Sequence, residues 1–365
     1  MVRVLTINAG SSSLKAAAFD ITATEEARIW HGQVDCTDHY LACQSLLEGL
    51  KAAAPTWTPE TIGHRIVHGG TTFLAPTIID ESVVTSIASL TPLAPLHQPA
   101  NVAGIKAAQQ LFPSLPQFAC FDTAFHANRG FVREAYALPR EYFERGIRRY
   151  GFHGLSYQFI CTELRNNHPE LANGKVIVCH LGNGASMTAI DAGRSVETTM
   201  GFTPTDGLIM GTRCGQIDPG ILLHLIEHDG LTSQQLAKLL TKQSGLLGLS
   251  GGLSSDMRHL LGSDRLESRQ AIELFVYRCQ YHIGALAAAL QGIEGLIFTG
   301  GIGEHASSIR ESIVAGLAWL GADLDLSANS EHQRCISTAS SRFPILVIPT
   351  DEERTIARAA LTMKP

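Results

Sequence analysis

Two distant stretches of this chain carry the same punctuation. Residues 2–21 read VRVLTINAGSSSLKAAAFDI and residues 176–190 read VIVCHLGNGASMTAI. In each, an apolar run rich in β-branched residues stops at a polar turn containing glycine, and a second apolar run follows, which is the pattern of a β-hairpin. The first turn offers backbone N–H groups, the hydroxyls of Ser11, Ser12 and Ser13, and Lys15; the second offers Gly182, Asn183, Gly184 and Ser186. Both suit a phosphate group. One isolated Gly-Ser turn is common, but its repetition predicts two related halves that close on a nucleotide.

A third unit, LIFTGGIGEHASSIRESIV at 296–314, reads as a strand, a glycine-rich turn and an amphipathic helix. Apolar recurrence at three and four residues predicts helices at 98–111, 153–166, 233–242, 268–291 and 351–362, the last opened by Thr350 and a run of acids. Strands alternating with helices indicate an α/β architecture. With 365 residues, 45% of them hydrophobic, the chain can bury the cores of two domains.

Composition removes several function classes. The net charge is −6, and basic residues are scattered apart from Arg145, Arg148 and Arg149, which argues against broad nucleic-acid or anionic-membrane binding. No apolar stretch approaches the roughly 18 residues of a spanning helix, and the chain opens on a charged strand, so a soluble cytoplasmic protein is expected. The eight cysteines show no close pairing and read as reduced core residues. Cys179 and Cys214 flank loops of interest, which makes their thiols candidates for inactivation chemistry.

The polar residues gather where loops should lie. GHRIVHGG supplies His64, Arg65 and His68; APLHQPAN supplies His97; FACFDTAFH supplies Asp122 and His126; RRYGFHGLS supplies His153; GFTPTDGLIMGTRCGQIDPG supplies Arg213. Arg65 and Arg213 can stabilise a phosphoryl group in flight, with His153 as a further donor. Asp122 and a second acid, with Glu352 as candidate, can hold Mg²⁺. Each has a plainer alternative. Arg65 can be a structural ion pair, Asp122 a turn cap, the histidines loop-backbone partners, and Asn8 and Asn183 turn formers.

Taken together, NAGSSSLK, TMGFTPTDGLIMGTRCGQIDP, GHRIVHGG, APLHQPAN, FDTAFH, GFHG, HLGNGAS, SGLLGLSG with SSDMR, FTGGIGE and PTDEE closely resemble the acetate kinase (acetokinase) family, within the acetate and sugar kinase, actin and chaperone superfamily. The resemblance spans almost the whole chain. It implies two actin-like (ribonuclease H-like) α/β domains with an interdomain active-site cleft: 1–124 completed by a C-terminal helix at 353–365, and 125–352 carrying most nucleotide contacts. It implies reversible transfer of the ATP γ-phosphoryl group to acetate, giving acetyl phosphate and ADP, with Mg²⁺ required and Mn²⁺ as a substitute, and a homodimeric enzyme. Arg65, Asp122, His153 and Arg213 match the family's catalytic positions. Asn8 matches an active-site residue, and with Asp122 and Glu352 forms the implied metal-associated group. Ser11, Ser13 and Lys15 match neighbours of the phosphates, and His97 and His180 match active-site histidines.

The resemblance also places Val67, Leu96, Phe152 and Pro204 around the substrate methyl group, beside Arg65. Val67 favours acetate over a longer acid. His180, Leu181, Gly182, Asn183 and Gly184, then Asp256, Met257 and Arg258, then Gly301, Ile302, Gly303 and His305 are implied for the nucleotide. SSDMR also reads as a capped helix start. Cys214, Gln216, Tyr157, His305 and Asp351 depart from the family pattern; loss of an acid at Gln216 is expected to alter arginine geometry, and His305 nucleotide preference. The alternatives are a propionate or butyrate kinase, a pyrophosphate-dependent acetate kinase, and a non-catalytic nucleotide-binding protein.

Overall fold

The computed structural model describes residues 1–10, 13–35 and 38–363. Ser11, assigned above to the phosphates, lies outside the described residues. The chain forms two compact units, one of Met1–Ala127, Phe152–Phe159 and Asp351–Pro365, the other of Asn128–Gly151 and Ile160–Thr350.

The first unit holds strands β1 (Val2–Ala9), β2 (Ser13–Ile21), β3 (Glu26–Asp35), β4 (Thr61–Ile66), β5 (Thr77–Ile78) and β6 (Gln117–Phe121), in the order β3-β2-β1-β4-β6-β5. The second holds β7 (Lys175–Leu181), β8 (Ala185–Asp191), β9 (Arg194–Thr198), β10 (Gly295–Thr299) and β11 (Ile345–Val347), in the order β11-β10-β7-β8-β9. Each sheet begins with three antiparallel strands, β1-β2-β3 and β7-β8-β9. Two parallel neighbours then follow on the far side of the first strand, β4 and β6 in one unit, β10 and β11 in the other. The two hairpins read from the sequence are therefore the corresponding elements of two like sheets.

In the first unit both sheet faces are covered, which is why its central strands read as unbroken apolar runs. Leu5, Ile7, Leu14 and Ala16 pack against helices His39–Ala53 and Gln98–Leu111. Val4, Ala17, Phe19 and Ile21 pack on the opposite face against Ile356 and Ala357 of helix Glu352–Ala359. That helix approaches closely because position 63 is glycine; a Cβ there would meet the Phe118 ring at 2.7 Å and also press on Ile356. The close seat fixes Glu352, the helix's first residue.

One predicted helix is broken: the expected helix 233–242 is Ser233–Lys238 followed by a π-helical turn, Leu239–Gln243. The glycine-rich turn expected after β10 is itself one short helix, Gly300–His305, separated at Ala306 from the expected amphipathic helix, Ser307–Ala315. None of the seven described cysteines is in a disulfide, and five of them are buried. Cys179 and Cys279 sit so deep in the second unit that burial pushes both thiols up, which disfavours reactive thiolates.

Two buried histidines couple the first unit to pH. His64 Nε2 donates to Gln117 Oε1 at 2.8 Å, yet burial holds the ring down to about 4; burial does the same to His68. The unfolded chain, with ordinary imidazoles, binds these protons more readily, so stability is full above about pH 6.5 and falls as pH drops toward 4. The contribution of His64 is on the order of 3 kcal/mol. In urea denaturation from pH 7 to 4, His64→Gln should lose less stability on acidification than the parent chain; equal losses would refute the assignment.

Candidate active site

Three neighbouring parallel strands of the first unit end in polar residues. Asn8 lies at the end of β1, Arg65 near the end of β4, and Asp122 directly after β6, its N–H bonded to the Ile66 carbonyl at 3.0 Å. The carboxyl ends of parallel strands are where open α/β sheets present their ligand-binding groups. Arg65 is the hub. Its Nη2 donates to Asp122 Oδ2 at 2.7 Å and its Nε to both Asp122 oxygens at 3.2 Å. Nη1 reaches Glu352 Oε2 and Asn8 Oδ1, each at 3.4 Å. The Asp122 side chain is 1% exposed and that of Arg65 19%. Burial pushes the Asp122 carboxyl up to about 6 against the pull of Arg65, so it is ionised at neutral pH, while the two carboxylates hold Arg65 firmly protonated.

His153 lies in an unusual turn beside the Asp122 backbone. Its φ is +58°, in the left-handed region that a non-glycine residue occupies at a cost. The next residue, Gly154, donates its N–H to the Asp122 carbonyl at 2.9 Å, and a Cβ there would collide with that oxygen. His126 Nε2 lies 2.9 Å from the Phe152 carbonyl, which holds the segment entering the turn. Of the proposed methyl-pocket residues in this unit, Val67 and Phe152 are buried and Leu96 half-buried. His97 is the N-cap residue of helix Gln98–Leu111, with no side-chain capping bond. Lys15 is exposed on β2, opposite Asn8 in the register, and the Ser13 carbonyl accepts from Gly10 N–H at 2.8 Å.

In the second unit a cavity of about 490 Å³ brings together three separate sequence segments. Gly182 and Asn183 come from the β7-β8 turn, Asp256, Met257 and Arg258 from the start of a short helix, and Gly301, Ile302 and His305 from the turn after β10. That volume lies within the range of small-molecule sites. Asp256 caps the helix Met257–Leu261 and forks onto Arg258 at 2.6 and 3.1 Å, so the capping and wall assignments coincide. His180, Leu181, Gly184 and Gly303 are not among the lining residues: Leu181 is fully buried beneath Gly300, and Gly303 is buried in its helix. Arg213 Nη1 donates to the Pro204 carbonyl at 2.6 Å, joining two residues assigned to the substrate. Gly245, at φ +64°, lets its segment lie against the Arg213 and Met210 carbonyls, where a Cβ would collide.

The departures from the family pattern fall into place individually. Asp351 caps helix Glu352–Ala359 by accepting from Arg354 N–H at 2.9 Å, a job Asp and Asn do about equally well. Tyr157 is fully buried, its ring 6.1 Å from Phe125 and 5.5 Å from His126. Gln216 is exposed and Cys214 half-buried, with burial raising its thiol. His305 stands at the cavity wall, 75% exposed. One positioning residue escaped the sequence reading. Asn101, 2% exposed, accepts from Val67 N–H at 2.9 Å and donates to the Ala9 carbonyl at 2.7 Å, tying β1 to the segment after β4.

Fold and site together define a duplicated α/β protein with a charged cluster at its strand ends and a nucleotide-sized cavity. Residues 30–358 match the Acetokinase family. The chain is 45% identical to an acetate kinase of Methylocella silvestris, over 99% of this chain and 97% of the relative. It is 44% identical to one of Rhizobium meliloti, over 100% and 98%. Among solved structures it resembles Porphyromonas gingivalis acetate kinase with a TM-score of 0.90 at 32% identity, each chain covered completely. It resembles a Francisella tularensis propionate kinase with a TM-score of 0.88 at 35% identity, over 98% of this chain and 99% of that one. The chain belongs to the acetokinase family.

The tie made by Asn101 predicts a specific loss. Asn101→Ala leaves the Val67 N–H and Ala9 carbonyl without their partner and should lower stability by about 2–4 kcal/mol. It should also raise the KM for the carboxylic acid more than that for nucleotide. Equal changes in the two KM values would separate Asn101 from the acid site.

Proposed function

We propose that this protein is an acetate kinase, transferring the γ-phosphoryl group of ATP reversibly to acetate to give acetyl phosphate and ADP. The observation that carries the reading is Arg65, held by Asp122, Glu352 and Asn8 at the carboxyl ends of three parallel strands. A guanidinium fixed in this way can orient a carboxylate and a phosphoryl group without rearranging. A non-catalytic nucleotide binder has no need of it.

In the proposed reaction an acetate carboxylate oxygen attacks the γ-phosphorus in line, forming the acyl P–O bond as the bond to the bridging oxygen of ADP breaks. Arg65 and Arg213 donate to the oxygens on which charge develops, and His153 adds a further donor. No general base is required, because a carboxylic acid is already ionised near neutral pH. Val67, Leu96, Phe152 and Pro204 enclose the methyl group. The cavity walls at Gly182 and Asn183, 256–258 and 301–305 take the nucleotide, with His180, Leu181 and Gly184 supporting the β7-β8 turn and Ser13 and Lys15 neighbouring the phosphates.

Asn8, Asp122 and Glu352 offer only hard oxygen donors, and no group of three His, Cys, Asp or Glu among the described residues could hold a metal. This donor set fits Mg²⁺, which keeps much of its shell on water and substrate phosphates and needs only one or two carboxylates from the protein. Bound there, Mg²⁺ would neutralise charge on the phosphates. The matching strand orders support assigning both halves to the actin-like type, with domains that follow the two units: 1–127, 152–159 and 351–365 in the first, against 128–151 and 160–350 in the second, so the expected bounds of 1–124 plus 353–365 and 125–352 shift to give the first domain 152–159 and Glu352. Exposed Leu266, Leu274, Tyr277 and Tyr281 on helix Leu266–Leu290 support a homodimer. No helix among the described residues is long and apolar enough to cross a membrane.

Likeness to a propionate kinase makes the longer acid the second reading. ADP release with Mg-ATP and acetate, propionate, butyrate or no acid, with hydroxylamine trapping the acyl phosphate, decides between them. Acetate should give the highest kcat/KM, and absence of trapped product with every acid would overturn the proposal. Arg213→Ala should lower kcat at least about 100-fold with little change in Tm; parallel losses would make it a structural ion pair. Val67→Ala should raise the propionate-to-acetate ratio of kcat/KM by about 10-fold, and an unchanged ratio would place the methyl pocket elsewhere.

A further inference from the structure

Among the described residues the largest fully buried side chain is a charged one, Arg310 of helix Ser307–Ala315. No carboxylate among the described residues pairs with it. Each of its five N–H groups instead has a neutral acceptor. Nε donates to Asn329 Oδ1 at 2.8 Å, Nη1 to the carbonyls of Gly303 and Glu304 at 2.9 Å each, and Nη2 to the Asn329 carbonyl at 2.8 Å and His332 Nδ1 at 3.1 Å. A guanidinium can only donate, so the His332 ring accepts at Nδ1 and is neutral. Burial pulls Arg310 down to about 10, which still leaves it charged at neutral pH.

A buried charge without a counter-ion is costly, and packing alone would be served better by an apolar side chain. The Arg310 acceptors indicate why the charge is there. Gly303 and Glu304 belong to the turn after β10, whose Gly301, Ile302 and His305 line the 490 Å³ cavity. The same turn is held at its other end by Glu304 Oε1, which accepts from Gly300 N–H at 2.8 Å and Thr350 N–H at 3.2 Å. Asn329 is itself fixed, 1% exposed, with Nδ2 donating to the Ser307 carbonyl at 2.9 Å.

We infer that Arg310 is a positioning residue for nucleotide binding, holding the glycine-rich turn from beneath so that Gly301, Ile302 and His305 stand at the cavity wall. The inference rests on the reading of that cavity as the nucleotide site. Arg310 touches no ligand; it acts through the carbonyls of Gly303 and Glu304. Lysine would keep the charge and lose the planar fork, so it should replace Arg310 only in part.

The test is calorimetric titration of MgADP into the full chain and into Arg310→Met and Arg310→Lys, with steady-state KM for acetate measured alongside. Arg310→Met should bind MgADP at least about 10-fold more weakly, Arg310→Lys should fall between it and the parent, and KM for acetate should stay within about twofold. Parent-like MgADP affinity in Arg310→Met, or equal losses for MgADP and acetate, overturns the role. Should Arg310→Met fail to fold, Asn329→Ala removes the Nε acceptor and should weaken MgADP in the same direction; unchanged affinity there also overturns it. A parent chain that does not bind MgADP refutes the nucleotide reading itself, an outcome distinct from one in which parent and variants bind alike.

Discussion

The contact between Arg65 and Asp122 is the interaction on which the first half of the site depends. Both groups are largely removed from water, and a buried pair with one member deleted leaves an uncompensated charge worth about 3–5 kcal/mol. Its geometry is set by the sheet. Arg65 pairs with Cys120 in the parallel register of β4 and β6, and Asp122 follows two residues later, so the guanidinium fork meets the carboxylate across adjacent strand ends. Gly154 then seats against the Asp122 carbonyl, and Gly63 admits the helix that carries Glu352. The absence of a side chain at two positions is thus as much a part of the charged cluster as the charges themselves.

The second half uses the same sheet plan with different chemistry. Its segments after β7 and β10 are rich in glycine, and Gly182, Asn183, Gly301, Ile302 and His305 from them line the cavity. Gly211 shows how tightly these segments fit: its N–H donates to the Asn183 carbonyl at 3.0 Å, and a Cβ there would strike the Asn183 side chain. A duplicated fold has in this way separated two tasks, fixed charge in one unit and close backbone approach in the other.

The hairpins β1-β2 and β7-β8 and strand β10 were legible because their apolar runs are short and punctuated by a glycine turn; β3, β5 and β9 were not, because β3 and β9 are largely polar and half-exposed and β5 is two residues long. Helices Gln98–Leu111 and Leu266–Leu290 were legible from their periodicity. Helix His39–Ala53 was not. It exposes Leu41 and carries Gly49, which lowers helix propensity but lets the Trp30 ring lie close. The break at Ala306 was hidden because its cause, the bonds from Arg310 back to Gly303 and Glu304, lies in three dimensions. Asn101 was hidden for a related reason. An asparagine inside a helical pattern looks like a poor helix former until its partners on two strands are known. Arg65, Asp122, Glu352 and Arg213 could be singled out as charges in expected loops, but the sequence does not say which charge meets which.

Arg65 and Arg310 show why a buried guanidinium must be read by its acceptors. Arg310 spends all five donors on neutral acceptors at 2.8–3.1 Å, which leaves nothing to offer a ligand and makes it a fastening. Arg65 is held hard by Asp122 on one edge, while among the described residues Nη1 has two long contacts of 3.4 Å, to Glu352 and Asn8. Those long contacts are the ones a phosphoryl or carboxylate oxygen can replace at low cost, because a charged acceptor at closer range forms the stronger bond. With two carboxylates around one guanidinium, the cluster carries a net negative charge before substrate arrives. The same residue type therefore fixes backbone in one unit and, in the other, keeps one edge available for exchange.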